Sequence, residues 1–329
     1  MKNIHVVVGG RPNLVKAFNI LKELKKLKVK TDLIMTNQHY DYELNKIFFD
    51  QFKLQKPKII FNNRSSNIIK IKKIYKNFLK KNTPDLIIVF GDMNSSLAAA
   101  KAGYEKNIPI AHVESGLRSY DKRMPEEKNR IEIDKISSFL FCTTYDSLRN
   151  LNKEKIKGKK FFVGNPMIDT LKILIPKIKK NNFYKKFNLL KKKYGVLTLH
   201  RNFNVDSFKK LHLLISEINK ISNIYPLVFS IHPRTRNNLI KNNILKRLNK
   251  KIIIKNSLSY FNFMNLIYNS KFVVTDSGGI QEETSLLRLN CFTLRNNTER
   301  PITIIKGTNY LVKEKDFFNF IIKKINKTK

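Results

Sequence analysis

The sequence predicts an α/β protein built from two doubly wound, parallel-sheet domains. Short, nearly continuous apolar runs alternate with amphipathic stretches, and the alternation starts twice, at Ile4 and again at Val196. Several of the runs end in a polar or glycine-rich turn that opens a helix, which is the arrangement of βαβ units. At 329 residues, 42% of them hydrophobic, the chain holds enough apolar material for two ordinary domains.

In chain order, Ile4-His5-Val6-Val7-Val8 is a strand of the buried parallel type, and Gly9-Gly10-Arg11-Pro12 turns it into a helix whose first turn suits Pro12. Arg11 and Lys16 bring two cations to that turn, suited to a diphosphate. Residues 32–36 form the next strand, followed by Asn37-Gln38-His39-Tyr40-Asp41-Tyr42 and a helix through Phe49. A lysine-rich helix near residues 68–81 leads to a strand at 84–90, which stops at Gly91-Asp92, and an alanine-rich helix follows. Residues 109–113 are a fourth strand, delivering Glu114-Ser115-Gly116-Leu117-Arg118. Phe139-Leu140-Phe141-Cys142 and Lys160-Phe161-Phe162-Val163 close the first domain, with Gly164-Asn165-Pro166-Met167 as the crossover. Residues 177–193 read as a solvated helical segment.

The second round runs from Val196-Leu197-Thr198-Leu199 into His200-Arg201-Asn202, then through a helix to about Asn223 and a strand at 227–231. His232-Pro233-Arg234 opens a helix through Leu248, and a strand at 252–254 and a helix at 259–269 follow. Phe272-Val273-Val274 enters Thr275-Asp276-Ser277-Gly278-Gly279-Ile280-Gln281-Glu282-Glu283, again strand, turn and helix. Cys291-Phe292-Thr293-Leu294 leads to Arg295-Asn296-Asn297-Thr298-Glu299-Arg300-Pro301, and a strand at 309–312 precedes a helix from Asp316 to Ile325. The expected domains are residues 1–165 and 166–312, with residues 313–329 a terminal helix able to pack back on the first domain. The ligand site is expected in the cleft between the two domains.

Composition narrows the function. No apolar run reaches the roughly 18 residues of a membrane span, and Met1-Lys2-Asn3 enters a strand without the pattern of a signal peptide. Cys142 and Cys291 sit in apolar strand-like runs, as buried thiols of a reducing cytoplasm would. The net charge of +40, from 65 Lys and Arg against 25 Asp and Glu, raises nucleic acid as a partner. The lysines, however, are spread through the predicted amphipathic helices beside abundant Asn and Ile. That distribution speaks for a compositional bias and against a specific nucleic-acid site, and no membrane insertion is expected. Of only 11 glycines, eight fall at strand ends or in motif turns: Gly9, Gly10, Gly91, Gly116, Gly164, Gly278, Gly279 and Gly307.

Those turns frame the candidate chemistry. Adjacent glycines at Ser277-Gly278-Gly279 let the backbone approach a ligand, and the helix that starts there offers unpaired amides to a phosphate. A carboxylate one turn in, Glu282 or Glu283, is placed to accept from a ribose diol. Asp92, Glu114 and the pair Glu126-Glu127 are acids at or just after strand ends, where the crevice of an open α/β sheet lies. Any one of them could simply cap the following helix; all of them doing so in a chain this short of acids is the poorer account. His200 and His232 each follow an apolar strand, with Arg201 and Arg234 nearby turning them toward an anion. No HExxH or CxxC spacing is present, so no metal site is indicated.

Taken together, Gly10-Arg11-Pro12-Asn13 to Lys16, Asn37-Gln38-His39-Tyr40-Asp41, Gly91-Asp92, His112-Val113-Glu114-Ser115-Gly116-Leu117-Arg118-Ser119, Met124-Pro125-Glu126-Glu127-Lys128-Asn129-Arg130, Gly164-Asn165-Pro166-Met167-Ile168-Asp169, His200-Arg201, His232-Pro233-Arg234-Thr235, Thr275 to Glu283 and Thr298-Glu299-Arg300-Pro301 resemble the non-hydrolysing UDP-N-acetylglucosamine 2-epimerases. Order and spacing agree across nearly the whole chain. Asn202-Phe203-Asn204 departs from the Arg-Glu-Asn or Pro-Ser-Asn more common there, and Gly10 stands for the usual Thr or Ala. The resemblance implies a GT-B fold, with two Rossmann-like domains and the active site in the cleft between them, a homodimer, and a cytoplasmic role in making surface polysaccharide precursors. It implies interconversion of UDP-N-acetylglucosamine and UDP-N-acetylmannosamine by elimination and re-addition of UDP, with no metal and no nicotinamide cofactor. It places Asp92, Glu114 and Glu126 in proton transfer and His200 near the leaving diphosphate. Arg11, Lys16, Gln38, His39, Arg130, His232 and Arg300 then bind sugar or phosphate, Ser277, Gly278 and Gly279 the diphosphate, and Glu283 the ribose. Rival readings are a hydrolysing epimerase of the same fold, a GT-B glycosyltransferase, and a basic binding protein without catalysis. The His-Val-Glu-Ser-Gly-Leu-Arg and Met-Pro-Glu-Glu elements argue against the first, the carboxylates of the first domain against the second, and the full set of proposed acid/base residues against the third.

Overall fold

The computed structural model describes residues 3–36, 49–61, 66–256, 258–315 and 317–327, the side chain of Arg11 excepted. Its contacts divide the chain into two units, Met1–Lys172 and Ile173–Lys329. The division falls inside the helix Pro166–Lys180, a few residues after the expected boundary.

Among the described residues the first unit holds seven parallel strands: β1 (Asn3–Val8), β2 (Lys30–Met35), β3 (Ile59–Ile60), β4 (Leu86–Phe90), β5 (Ile110–Ser115), β6 (Phe139–Cys142) and β7 (Lys159–Phe162). They are ordered β3-β2-β1-β4-β5-β6-β7. The central strands read as unbroken apolar runs because helices cover both faces. Helix Asn94–Tyr104 can approach the sheet closely because its inner residues are alanines, and Gly103 lies against Ile87 and Ile110. Val7, Ile34, Tyr75, Leu79, Val89, Leu97 and Ile133 fill the core.

The second unit repeats the plan with β8 (Gly195–Leu197), β9 (Leu227–Ser230), β10 (Ile252–Lys255), β11 (Phe272–Thr275), β12 (Asn290–Thr293) and β13 (Asn309–Leu311), all parallel. They are ordered β10-β9-β8-β11-β12-β13. Two regions differ in detail from the sequence reading. Residues 177–193 are not one solvated helix. The helix stops at Lys180, a 3₁₀ turn spans Phe183–Phe187, and Ile178, Tyr184 and Leu189 are buried. Lysines disguise this, because their stems lie along apolar surface while Lys179 and Lys192 carry their ammonium groups over the Tyr268 ring. The terminal helix Phe317–Lys327 lays Phe317, Ile321 and Ile325 into the core of the second unit, beside Leu211 and Leu214. The buried Glu217 carboxylate accepts from the Phe318 amide at 3.1 Å and fixes the start of that helix.

Cys142 and Cys291 are both buried and unpaired with each other. Among the described residues no helix is long and apolar enough to cross a membrane, and no group of three metal-ligating side chains occurs.

His5 is a buried titratable group in the first sheet. Its Nδ1 lies 2.9 Å from the Tyr75 hydroxyl, and Asp32 stands opposite it on β2. Burial pushes its pKa down to about 4, with Asp32 opposing and Lys58 assisting. An unfolded chain protonates this histidine near 6.5, so its contribution to stability is complete above pH 6.5 and drains away as the pH falls toward 4. Wild type is expected to lose roughly 3 kcal/mol from this source over that window, and His5→Phe to lose correspondingly less. Urea titrations at several pH values check this; parallel losses in the two proteins would rule it out.

Candidate active site

In each sheet the chain reverses direction of winding at one point, between β1 and β4 in the first unit and between β8 and β11 in the second. Loops leaving the carboxyl ends of such a strand pair run to opposite faces and leave a crevice. Each unit carries a polar cluster there.

In the first unit, Glu114 is buried and ion-paired with Lys16 of the first helix. Glu114 has φ 70°, and the β5–β6 register shifts between Val113 and Ser115, so a bulge re-aims the side chain. Gly91 has φ 61°, and a Cβ there would lie 2.8 Å from Glu114 Oε2 and 3.0 Å from Lys16 Nζ. Glycine is therefore required for conformation and for space. The next residue, Asp92, is partly exposed and pairs with the buried Arg130. Asn129 donates to the Asp92 carbonyl at 2.9 Å and to Asn94 Oδ1 at 2.7 Å. Glu126, partly exposed, stands one turn before Arg130 on the helix Pro125–Ile136. Its neighbour Glu127 turns inward and accepts from the Ser119 amide and hydroxyl and the Tyr120 amide, at 2.8, 2.9 and 3.1 Å. The two adjacent acids thus divide their work: Glu127 shapes the loop, and Glu126 stays accessible.

In the second unit, Asp276 is fully buried and organises the crevice. It accepts from the His200 amide (3.1 and 3.0 Å), the Arg201 amide (2.9 Å) and Asn204 Nδ2 (3.2 Å), and lies 2.8 Å from His200 Nδ1. Burial works against its charge, yet the His200 ring and these amides hold its carboxyl down at about 2. With Nδ1 turned to a carboxylate, that nitrogen carries a hydrogen. The His232 ring centroid is 5.9 Å from that of His200, and His232 Nδ1 accepts from the Arg234 amide at 3.2 Å.

Immediately after Asp276, Ser277 and Gly278 open the helix Gly278–Leu286, whose first turn has no acidic residue and no side-chain cap. A Cβ at Gly278 would meet Arg300 Nη1 at 2.6 Å and Glu299 Oε1 at 2.7 Å. Arg300 pairs with Glu282 at 2.7 Å and with Glu299, which also pairs with Arg295 at 2.8 Å. Gln281 holds the same region from within: it donates to the Ser277 carbonyl and accepts from Thr298 Oγ1 and Asn309 Nδ2. Glu283 accepts from the Tyr260 hydroxyl at 2.8 Å. Burial pushes its carboxyl up to about 7; the Tyr260 bond works against this rise and the charge of Glu282 adds to it.

The structure therefore groups Lys16, Glu114, Asp92 and Arg130 in the first unit, and His200, His232, Ser277, Gly278 and Arg300 in the second, with Gly279 and Glu283 following in the same helix. Gln38 and His39 lie outside the described residues, as does the Arg11 side chain. Sequence reasoning passed over Asp276, Asn204, Tyr260, Gln281, Glu299 and Arg295 as parts of the site. Asp276 stood inside the quoted motif, and a buried acid directly before a glycine-opened helix was the available signal. Asn204 belongs to the stretch that departs from the family pattern, and it donates to Asp276 and to the Leu294 carbonyl.

Cation-paired carboxylates beside one switch point, and a histidine beside a glycine-opened helix at the other, suit acid–base chemistry on a phosphorylated ligand. Comparison with known proteins agrees. Residues 22–328 match the family described as UDP-N-acetylglucosamine 2-epimerase. A UDP-N-acetylglucosamine 2-epimerase of Methanocaldococcus jannaschii is 41% identical over 325 residues, covering 94% of this chain and 88% of that protein. One of Methanococcus maripaludis is 39% identical over 328 residues, with the same 94% and 88% covered. The crystal structure of the M. jannaschii UDP-GlcNAc 2-epimerase in complex with UDP-GlcNAc and UDP superposes with a TM-score of 0.93 at 38% identity, covering 98% of this chain and 93% of that one. The chain belongs to the UDP-N-acetylglucosamine 2-epimerase family.

Asp276→Asn is expected to lower the free energy of unfolding at pH 7 by about 2 kcal/mol, because donors arranged for an anion lose it. The wild-type contribution should be complete above pH 3.8 and fade as the pH falls toward 2. Equal stability of wild type and variant at pH 7 would show that the carboxylate is not the anchor described.

Proposed function

We propose that the protein is a non-hydrolysing 2-epimerase that interconverts UDP-N-acetylglucosamine and UDP-N-acetylmannosamine, or a closely related UDP-2-acetamido sugar, for surface polysaccharide precursors. The observation that carries this reading is the pair of strand-end carboxylates on neighbouring strands, Asp92 and Glu114, each held by its own cation. A hydrolase needs a positioned water and a glycosyltransferase an acceptor site. Inversion at C2 needs proton transfer on both faces of one carbon.

In this reading one carboxylate of the first unit removes the C2 proton while the C1–O bond to UDP breaks, the C–H electron pair becoming the C1–C2 double bond. The products of that half-reaction are a 2-acetamidoglucal and UDP. A β-phosphate oxygen of UDP then re-forms the bond to C1 as a second acid returns a proton to C2 from the other face. Nothing is oxidised or reduced, and no metal or nicotinamide enters. Asp92, Glu114 and Glu126 are the proton-transfer groups. Lys16 and Arg130 set two of these carboxylates in place and share their charge with the substrate, and Arg11, Gln38 and His39 complete the sugar and phosphate contacts of the first unit.

The second unit holds UDP. Ser277, Gly278 and Gly279 place helix amides at the diphosphate, where the partial positive charge of a helix start is favourable. His200, its Nδ1 bound to Asp276, directs Nε2 to the departing phosphate, with His232 and Arg300 beside it. Charge that develops on the leaving group meets donors already in place. Glu283 accepts from the ribose diol. A homodimer and a cytoplasmic location complete the reading.

Proton NMR of UDP-N-acetylglucosamine with the enzyme in D₂O tests it. Deuterium at C2 in both UDP-linked epimers is the expected result; free N-acetylmannosamine with UDP would make the protein a hydrolysing epimerase instead. Asp92→Asn and Glu114→Gln should each lower kcat by about a hundredfold or more, with UDP affinity retained. Normal turnover by either variant would remove that residue from proton transfer.

A further inference from the structure

Behind the two strand ends of the first unit lies a buried network that the proposed proton transfers do not use. Asp134, on the helix Pro125–Ile136, is fully buried. Its carboxylate faces His112 Nδ1 at 2.7 Å, accepts from the Gly116 amide at 3.2 Å, and pairs with Arg118 Nη2 at 2.7 Å. Burial opposes its charge, but His112 and Arg118 together keep the carboxyl below the ordinary range. Arg118 also grips Glu154 through Nε and Nη2, at 2.8 and 2.7 Å, and donates to its neighbour's carbonyl, that of Leu117, at 2.8 Å. The His112 ring, equally buried, reaches the other way, with Nε2 2.8 Å from the Gly91 carbonyl.

The end points of this network decide what it does. One is the carbonyl of Gly91, the residue before Asp92. The other is the amide of Gly116, two residues after Glu114. Gly91, Glu114 and Gly116 all have left-handed backbones, with φ 61°, 70° and 75°. For Glu114, which has a Cβ, that conformation costs about 1–2 kcal/mol and persists only where surrounding bonds impose it. The imidazole is thus a rigid spacer. It ties the end of β4, which carries Asp92, to the carboxylate that also holds the turn after Glu114.

We propose that His112, oriented by Asp134, is a positioning residue for the epimerase reaction, fixing the end of β4 so that Asp92 and Glu114 stand at their working separation. This rests on the assignment of those two acids to proton transfer. A buried pair serving stability alone predicts that activity falls only as far as folding does. A positioning role predicts that kcat depends on which ring nitrogen is replaced.

His112→Asn places an amide nitrogen near the Nδ1 position, keeping the Asp134 bond and releasing Gly91. His112→Gln places one near Nε2, keeping Gly91 and weakening the bond to Asp134, whose charge Arg118 still meets. His112→Asn is expected to lose about a hundredfold in kcat, with KM for the UDP-sugar little changed, a loss of the size that a displacement of about 1 Å produces. His112→Gln should stay within about tenfold of wild type, and the two variants should share a similar melting temperature. Equal losses in the two, a larger loss in Gln, or losses that track the melting temperatures would overturn the positioning role while leaving the epimerase reading intact. If wild type itself shows no C2 exchange, the reading fails and the positioning role falls with it. If the histidine variants do not fold, Asp134→Asn, which keeps one acceptor for Nδ1, takes their place. A kcat lowered by up to about tenfold, with KM and melting temperature unchanged, would support the proposal; wild-type kcat, or a loss that tracks the melting temperature, would overturn it.

Discussion

A carboxylate taken out of water is costly, by several kcal/mol, unless a cation or a set of N–H donors meets it. Both units are arranged around that requirement. A parallel sheet gathers its strand ends on one edge, and in each unit the acids that chemistry would need are buried or half-buried there. Glu114 is met by Lys16, Asp92 by Arg130, and Asp134 by His112 and Arg118; Asp276 is met by His200 and two backbone amides. Glu282 and Glu299 close around Arg300 and Arg295. Removing one member of such a pair leaves the other buried and unmatched, so these sites are held together more tightly than exposed ion pairs would be.

The same pairing sets local geometry. The Asp276 carboxylate turns Nδ1 of His200 inward, and so sets the nitrogen left for a ligand. The Glu114 carboxylate and the Lys16 ammonium lie so close to Gly91 that a Cβ there would displace them, which adds to the preference for glycine that its φ of 61° already sets. A Cβ at Gly278 would likewise crowd Arg300 and Glu299. In the second unit Glu217, Asp276, Glu282, Glu283 and Glu299 are all buried.

The sheets were legible in the sequence because buried parallel strands are written as short apolar runs, and the turns because a glycine-poor chain placed its glycines at them. The two-residue strand Ile59–Ile60 was too short to give a pattern. Around residues 177–193 the lysines masked buried positions such as Tyr184 and Leu189, since a long cationic side chain can lie over the core it helps to cover. Candidate acids were legible at strand ends, but their partners were not. Lys16 and Glu114 are 98 residues apart, and His112 and Asp134 are 22 apart; only folding brings them together. Of the adjacent Glu126 and Glu127, nothing in the local sequence tells which turns inward, because that depends on the Ser119 and Tyr120 amides of a separate loop. The terminal helix was read as able to pack back on the first domain, because its apolar stripe fits any partner; Phe317, Ile321 and Ile325 lie in the core of the second unit, and the Glu217 carboxylate at the Phe318 amide settles where the helix starts.

The central claim is that the C1–O bond to UDP breaks and re-forms within each turnover. Substrate labelled with ¹⁸O in the bond between C1 and the β-phosphorus tests it directly. If UDP is expelled and re-added, the label should move into the non-bridging β-phosphate positions of recovered UDP-sugar as the epimer accumulates. Epimer in which all of the label stays in the bridge would contradict the account, since a β-phosphate that leaves C1 and turns offers any of its three terminal oxygens for the return.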